Sequence, residues 1–148
     1  MERAKRLLFD TSIYIGAIRG GLFSPAFRVL QESLPRTHLA SVVAAELLAG
    51  ATTPAARRAV LTFIRRAHAV RRVVTPDAST WERAGELLGH IRQGAPHLRS
   101  KTPTLWNDLL IALSARQIGA TVVTQNARDF TLLHQHLAFD LHILSVPA

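Results

Sequence analysis

Short apolar runs alternate with longer helix-like segments along the chain, and this alternation restricts the fold more than any other feature of the sequence. Apolar runs of this length, bounded by turn and capping residues, are typical of buried strands. Strands that alternate with helices favour a parallel sheet covered on both faces. The sequence therefore predicts an α/β fold of three layers, α/β/α, with a central parallel sheet of four or five strands. The predicted strands, each built on such a run, cover residues 5–9, 37–40, 70–75, 120–124 and 139–144.

Helices are expected in the intervening segments, where capping residues, prolines and glycines indicate their ends. Thr11, Ser12 and Ser41 are expected N-caps, and Gly119 is expected to end a helix. The segment 93–104 contains a glycine, two prolines and several basic side chains, which predicts a loop. The length of 148 residues suits a single domain, 1–148. The predicted helices cover residues 11–19, 25–34, 41–48, 54–68, 77–92 and 105–118.

The composition excludes several classes of protein. Because there is no cysteine, disulfides and thiolate metal sites are excluded, and a cytoplasmic location is the default expectation. No run reaches the roughly 18 to 20 apolar residues that a membrane helix needs. The basic start, MERAKR, is followed by too few apolar residues for a signal peptide. We therefore expect no association with a membrane.

The charge balance favours a polyanionic partner. Lys and Arg number 18 against 10 Asp and Glu, which gives a formal net charge of +8. Such an excess is typical of chains that bind nucleic acid or an acidic protein segment. Small arginine-rich proteins are often basic without such a role, so the charge alone leaves both interpretations open.

Four of the acidic residues lie in otherwise apolar surroundings. Asp10 directly follows the first strand, Glu46 lies about six residues past the second, and Asp129 lies five residues past the fourth. A helix that feeds a parallel strand begins at the edge of the sheet where that strand ends, which places Asp108, expected in the first turn of the helix 105–118, at that edge as well. The four carboxylates are expected to converge there, where open α/β sheets bind ligands.

Each of these acids also has a purely structural interpretation. Asp10 can cap a helix or bond the backbone at the end of its strand. Glu46 can form an ion pair with an arginine. Asp108 can be a first-turn acid favoured by the helix dipole, and Asp129 can cap the helix that follows it. All four interpretations would have to hold together, which the expected shared edge argues against.

A cluster of four carboxylates favours a hard cation. Neighbouring carboxylates raise one another's pKa unless a positive charge offsets them. Oxygen ligands without cysteine suit Mg²⁺, or Mn²⁺ as an alternative, rather than Zn²⁺. Such ions activate water and stabilise the leaving oxygen in phosphodiester cleavage. A basic chain with such a site would hold a nucleic-acid backbone with its arginines and cleave it at the carboxylates.

Four segments resemble those of PIN-domain nucleases and, within them, the VapC-like toxins of bacterial and archaeal toxin–antitoxin pairs. In chain order they are LFDTS at 8–12, SVVAAELLAG at 41–50, NDLLIA at 107–112 and VVTQNARDF at 122–130. A strand followed by Asp-Thr-Ser is common, but all four segments in this order and spacing suit the family over essentially the whole chain. Gln125 stands where the family often has Arg, and Trp106-Asn107 is an unusual lead-in to the third acid; neither departure removes an acid.

The resemblance implies a PIN-like fold and a magnesium-dependent endoribonuclease that forms a homodimer and is inhibited by a cognate antitoxin. RNA is the implied substrate. Asp10 and Asp108 would be the most direct metal ligands. Catalysis and metal binding are implied for Asp10, Glu46, Asp108 and Asp129. A role in orienting the acids or the substrate phosphate is implied for Thr11, Thr124 and Asn126.

Two further groups of residues have more than one interpretation. Arg92, Arg99 and Lys101 precede Asp108 in the predicted loop region, and they would either contact RNA phosphates or belong to a solvated loop. The two tryptophans are expected to pack in the core, with base stacking as the alternative. These tryptophans are Trp81 and Trp106.

The main alternative function is a catalytically silent PIN-like module that binds RNA or a protein, and the intact acids argue against it. Two phosphoryl-transfer classes also place an aspartate after the first strand. A phosphatase of the haloacid dehalogenase type would need a second Asp where Ser12 stands. A receiver domain would need an acidic pair near Asp10 and an Asp in place of Thr75.

Overall fold

A five-stranded parallel sheet forms the centre of the structure, a computed structural model that describes residues 4–145. The strands are Leu7–Phe9 (β1), Thr37–Ala40 (β2), Val73–Val74 (β3), Thr121–Thr124 (β4) and Asp140–Ile143 (β5). Their order is β3-β2-β1-β4-β5, and every neighbouring pair is parallel. The predicted parallel sheet is confirmed.

Seven α-helices connect and flank the strands within the described part of the chain. Successive residues of a strand point to opposite faces of its sheet. Leu8 and Phe9 of β1 are both fully buried, as is Val122 of β4, so helices cover both faces. The helices are Thr11–Gly20 (α1), Pro25–Ser33 (α2), Ser41–Gly50 (α3), Pro54–Ala69 (α4), Ala78–Gly94 (α5), Thr102–Ile118 (α6) and Ala127–His134 (α7).

The register of the two central strands positions the edge of the sheet. Phe9, the last residue of β1, lies opposite Val123 of β4. The backbone N–H of Asp10 then donates to the Val123 carbonyl at 3.0 Å, which extends the strand pairing by one step. As a result, Asp10 and Thr124 lie side by side at the carboxyl ends of β1 and β4.

The predicted loop at 93–104 is wrong over most of its length, because α5 continues through Gly94. Residues Pro96–Lys101 form a 3₁₀ helix, and α6 begins at Thr102 rather than at Leu105. Pro103 is compatible with this start, because the first turn of a helix leaves its N–H groups unpaired and proline has none to lose. The proline that suggested a loop therefore opens a helix.

Three smaller predictions also need correction. Asp10 occupies the N-cap position of α1, so Thr11 and Ser12 lie inside the helix instead of capping it. Ala40 is the N-cap residue of α3, and Ser41 is its first helical residue. The third strand is only Val73–Val74, because α4 continues to Ala69 and the chain then turns through Arg71, whose φ is 55°.

The ends of the predicted domain, residues 1–3 and 146–148, lie outside the described residues. Between them, no helix is both long enough and apolar enough to cross a membrane.

Candidate active site

Asp10 is held at the end of β1 by two hydroxyl groups. Its side chain is buried, and Ser12 Oγ donates to Oδ1 at 2.6 Å while Thr124 Oγ1 donates to Oδ2 at 2.8 Å. Asp10 is the N-cap residue of α1, as one of its structural interpretations has it, although its side chain makes no capping hydrogen bond there. Burial raises the pKa of Asp10, whereas the hydrogen bonds from Ser12 and Thr124 lower it and the nearby charge of Glu46 raises it further.

The two hydroxyl groups also tie the segment after β4 to Asp10. Thr124 Oγ1 accepts from the backbone N–H of Asn126 at 2.8 Å, and Ser12 Oγ accepts from the backbone N–H of Gln125 at 3.1 Å. Thr124 is fully buried, so its hydroxyl depends on these partners. The sequence pointed to Thr124 and Asn126 but missed Ser12 and Gln125. The missed signal is the Asp-x-Ser spacing, because a serine two residues after an aspartate can reach its carboxylate.

Asp108 carries the most perturbed carboxyl group of the site. It lies in the second turn of α6, and its exposed fraction is 7%. Oδ2 has no hydrogen-bond partner among the described residues. Burial, followed by the charges of Asp10, Asp129 and Glu46, raises the pKa of Asp108 to about 8. Because Asp108 lies in the second turn, its interpretation as a first-turn acid is wrong, and the helix dipole does not explain why a carboxylate occurs at this position.

Glu46 lies on α3 at the same edge of the sheet. Thr11 Oγ1 donates a hydrogen bond to its Oε1 at 3.0 Å. Within residues 4–145 Glu46 has no ion pair with an arginine, so that structural interpretation is wrong. Its charge contributes to the raised pKa of both Asp10 and Asp108.

Asp129 lies inside α7 rather than at its cap. The N-cap residue is Asn126, whose Oδ1 accepts from the backbone N–H of Asp129 at 3.4 Å. Asn126 Nδ2 donates to Asp129 Oδ2 at 3.1 Å, and Lys101 Nζ lies 3.9 Å from Asp129 Oδ1. Asn126 thus both begins the helix and orients the acid, and Lys101 faces the acidic site.

The three basic residues proposed to contact RNA phosphates lie in different surroundings. Lys101 lies at the site through Asp129. Arg92, in the last turn of α5, and Arg99, in the 3₁₀ helix before α6, are both exposed. Arg92 also lines a hollow beside Trp106.

The chemistry of the four acids fits a hard divalent cation, although their side chains are not gathered around one point. Across the described residues, no group of three or more His, Cys, Asp and Glu side chains lies close enough to hold a metal ion as they stand. The donors are all carboxylate oxygens, and Asp108 Oδ2 is buried without a partner. The charges of the other three acids act on Asp108. A cation at this edge would relieve the repulsion that they create.

The fold is an α/β protein in which four acids lie near the carboxyl ends of parallel strands without being gathered around one point. The sequence matches the family model described as PIN domain over residues 7–133, and the chain belongs to this family. The resemblance seen in the four sequence segments is thereby confirmed.

Solved structures of VapBC proteins share this fold. The chain is similar to VapBC-1 from nontypeable Haemophilus influenzae, with 20% identity, a TM-score of 0.64 and coverage of 93% of this chain and 96% of that one. It is similar to DNA-bound VapBC from Salmonella typhimurium, with 24% identity, a TM-score of 0.59 and coverage of 95% and 98%. It is also similar to VapBC-5 from Mycobacterium tuberculosis, with 23% identity, a TM-score of 0.57 and coverage of 97% of this chain and 100% of that one. No curated protein matches the chain.

Proposed function

We propose that this chain is a Mg²⁺-dependent endoribonuclease that acts as the toxin of a toxin–antitoxin pair, with Mn²⁺ able to replace Mg²⁺. The observation that supports this most strongly is the carboxyl group of Asp108, which is buried, has an unpartnered Oδ2 and has a pKa raised to about 8. Burying a carboxylate beside three others costs free energy, and a divalent cation bound at this place would recover it. Membership of the PIN family supports a nuclease.

Each of the four acids has a role in this proposal. Asp10 and Asp108 would be the most direct ligands of the cation, with Glu46 and Asp129 completing the site. A bound Mg²⁺ would lower the pKa of a water molecule and offset negative charge at the phosphodiester. The hydroxyl of Thr124 holds one oxygen of Asp10 in place.

The neighbouring polar groups would position the acids and the substrate. Thr11 and Asn126 hold Glu46 and Asp129 through hydrogen bonds of 3.0 and 3.1 Å. Lys101 brings a positive charge to the edge that an RNA phosphate would approach, and the exposed Arg92 and Arg99 would extend this basic surface.

The proposed antitoxin would cover an apolar hollow next to Glu46. The hollow has a volume of about 270 Å³ and lies between α1, α3 and α4, with Ile15, Leu47 and Val60 among its lining residues. An apolar antitoxin segment placed here would bring a cationic side chain within reach of the acids. An antitoxin complex that leaves Asp10 and Asp108 accessible would contradict this mode of inhibition.

We further propose that residues 1–148 form a single PIN-like domain and that two copies of the chain form a homodimer in the cytoplasm. The match to the family model over residues 7–133 supports a single domain. Light scattering of the purified chain should give the mass of a dimer; a monomer at micromolar concentration would contradict this part of the proposal.

Cleavage of a total-RNA pool tests the proposed function. The purified chain is incubated with Mg²⁺, with Mn²⁺ or with EDTA, beside the variants Asp10→Asn and Asp140→Asn. Asp140 is a matched control because it is exposed, pairs with Lys5 and lies at the start of β5. We expect discrete, EDTA-sensitive cuts by the wild type and Asp140→Asn, and none by Asp10→Asn. RNA that is retained but not cut with either metal would favour the binding module instead.

A further inference from the structure

Trp81 and Trp106 form an aromatic pair that the proposed cleavage chemistry does not use. Their ring centroids lie 6.1 Å apart with an angle of 53° between the planes. Trp106 is two residues before Asp108 on α6, and Trp81 lies in the first turn of α5. The exposed fraction of Trp81 is 45%, so its predicted place in the core is wrong.

The exposure of Trp81 follows from its position on α5. The buried side of this helix consists of Ala84, Leu88 and Ile91, which are spaced as residues on one helical face. Trp81 extends the same face by one turn toward the start of the helix, where Trp106 is its aromatic neighbour. The ring of Trp81 is thus left nearly half exposed beside Trp106, where a planar ligand can reach its face.

Two hollows flank the pair and connect it with the acidic site. One has a volume of about 460 Å³ and includes Trp81, Asn107 and Glu46 in its lining. The other has a volume of about 420 Å³ and includes Trp106 and Arg92. The aromatic rings therefore lie between a catalytic acid on one side and an exposed guanidinium group on the other.

We propose that this tryptophan pair is a base-binding subsite, on which an unpaired base of single-stranded RNA stacks while Arg92 contacts a neighbouring phosphate. This inference rests on the proposed action on RNA. Aromatic rings bind any base through its π face, and an adjacent arginine adds attraction to the backbone. The net charge of +8 adds a general electrostatic attraction to the RNA backbone, which is a polyanion.

A second copy of the chain fits this surface less well. A stable dimer buries about 800 Å² on each partner, whereas Trp81 is the single large apolar side chain exposed here within residues 4–145. The other exposed large apolar residues line neither hollow. These other residues are Leu22, Phe23, Val70 and Ile143.

The test measures binding of fluorescein-labelled single-stranded RNA by fluorescence anisotropy, with the full chain in EDTA. An abasic oligonucleotide of equal length carries the same phosphates without bases. Trp81→Ala should weaken RNA binding by roughly 5- to 150-fold, the range that loss of one stacked base produces. Trp81→Phe should recover most of the affinity. The matched control is Phe23→Ala, because Phe23 is an aromatic side chain that is 91% exposed outside both hollows. It should bind as the wild type does.

A second variant separates binding from folding. A Cβ atom added at Gly89, which lines the hollow beside Trp106, would meet no atom within 4 Å. Gly89→Leu should therefore fold, with a higher helix propensity for α5, and should reduce RNA affinity by filling the hollow. Wild-type affinity in this variant would exclude the hollow from the subsite.

Three outcomes would overturn the inference. The first is RNA binding by Trp81→Ala as tight as that by Phe23→Ala. The second is an equal loss of affinity for RNA and for the abasic oligonucleotide. The third is a change of oligomeric state in light scattering, which would mark an interface between copies. Failure of the nuclease proposal is distinct from these outcomes. Trp81-dependent base binding without cleavage would refute the nuclease alone, and cleavage with no effect of Trp81 on binding would refute the subsite alone.

Discussion

Replacing Asp108 with asparagine should raise the stability of the metal-free protein at neutral pH. The pKa of Asp108 rises from the ordinary 3.8 to about 8 through burial and through the charges of three acids. Each pKa unit corresponds to about 1.36 kcal/mol, so folding with this group at pH 7 costs on the order of 4 kcal/mol. Asparagine removes that cost but leaves a buried amide without a partner, which costs about 1–3 kcal/mol. The net gain should be about 1–3 kcal/mol.

The gain should depend on pH in one direction. Because the pKa of Asp108 is raised in the folded state, its stabilising protonation is complete below 3.8 and is lost as the pH rises toward about 8. The advantage of Asp108→Asn in the free energy of unfolding should therefore grow from pH 5 to pH 8. Urea unfolding in EDTA at several pH values measures this, with the exposed Asp140→Asn as the control. A variant that is less stable than the wild type at pH 8, or a difference that does not change with pH, would refute the reasoning.

Three other substitutions have defined outcomes. Thr124→Val removes the hydroxyl between Asp10 and the backbone of Asn126, so it should lower the free energy of unfolding in urea by about 1–3 kcal/mol and slow cleavage by about 10- to 100-fold. Thr124→Ser should restore both the stability and the rate. An unchanged rate in the valine variant would contradict the role of this hydroxyl. Asp10→Asn should keep its circular dichroism spectrum and lose more than about 100-fold in cleavage rate, whereas a fully active variant would exclude Asp10 from the site. Gly119→Ala places a side chain at φ 65° and should lose about 1–2 kcal/mol of stability with unchanged cleavage per folded molecule; unchanged stability would show that the backbone there adapts.

The sheet could be predicted because its strands are distinct in the sequence. Leu8 and Phe9 are fully buried on opposite faces of the sheet, so an apolar run with no polar residue is the pattern that a doubly covered strand requires. The pairing of Phe9 with Val123 could not be predicted, because the order of strands depends on contacts between residues far apart in the chain. Predicting that Asp10 and Thr124 share an edge required only that the strands be parallel, which their alternation with helices already implied.

The start of α6 and the exposure of Trp81 were the main errors. Proline is compatible with both a loop and the first turn of a helix, so Pro103 alone could not distinguish them. Trp81 has the spacing of the buried residues Ala84 and Leu88, but its exposure depends on where the packed part of α5 ends. That end is set by tertiary packing, which periodicity does not report.

The placement of the four acids near one edge of the sheet could be predicted, whereas their hydrogen-bond partners could be predicted only in part. Carboxylates in apolar segments are costly and therefore conspicuous. Serine and threonine are common residues, and burying their hydroxyl groups costs little free energy when the hydroxyls are hydrogen-bonded. Only the spacing from Asp10 therefore distinguishes Ser12 from an ordinary helical residue in the sequence. The same spacing occurs at Asp77 and Ser79, where the aspartate simply caps α5.

Calorimetric titration of the metal-free protein with Mn²⁺ tests the shared acidic site most directly, because it measures binding without any RNA. The wild type and Asp140→Asn should bind Mn²⁺ with equal affinity, and Asp108→Asn and Asp10→Asn should each bind it at least about 10-fold more weakly. Equal Mn²⁺ binding by all four proteins, or no binding by the wild type, would contradict the assignment of these carboxylates to one divalent-cation site.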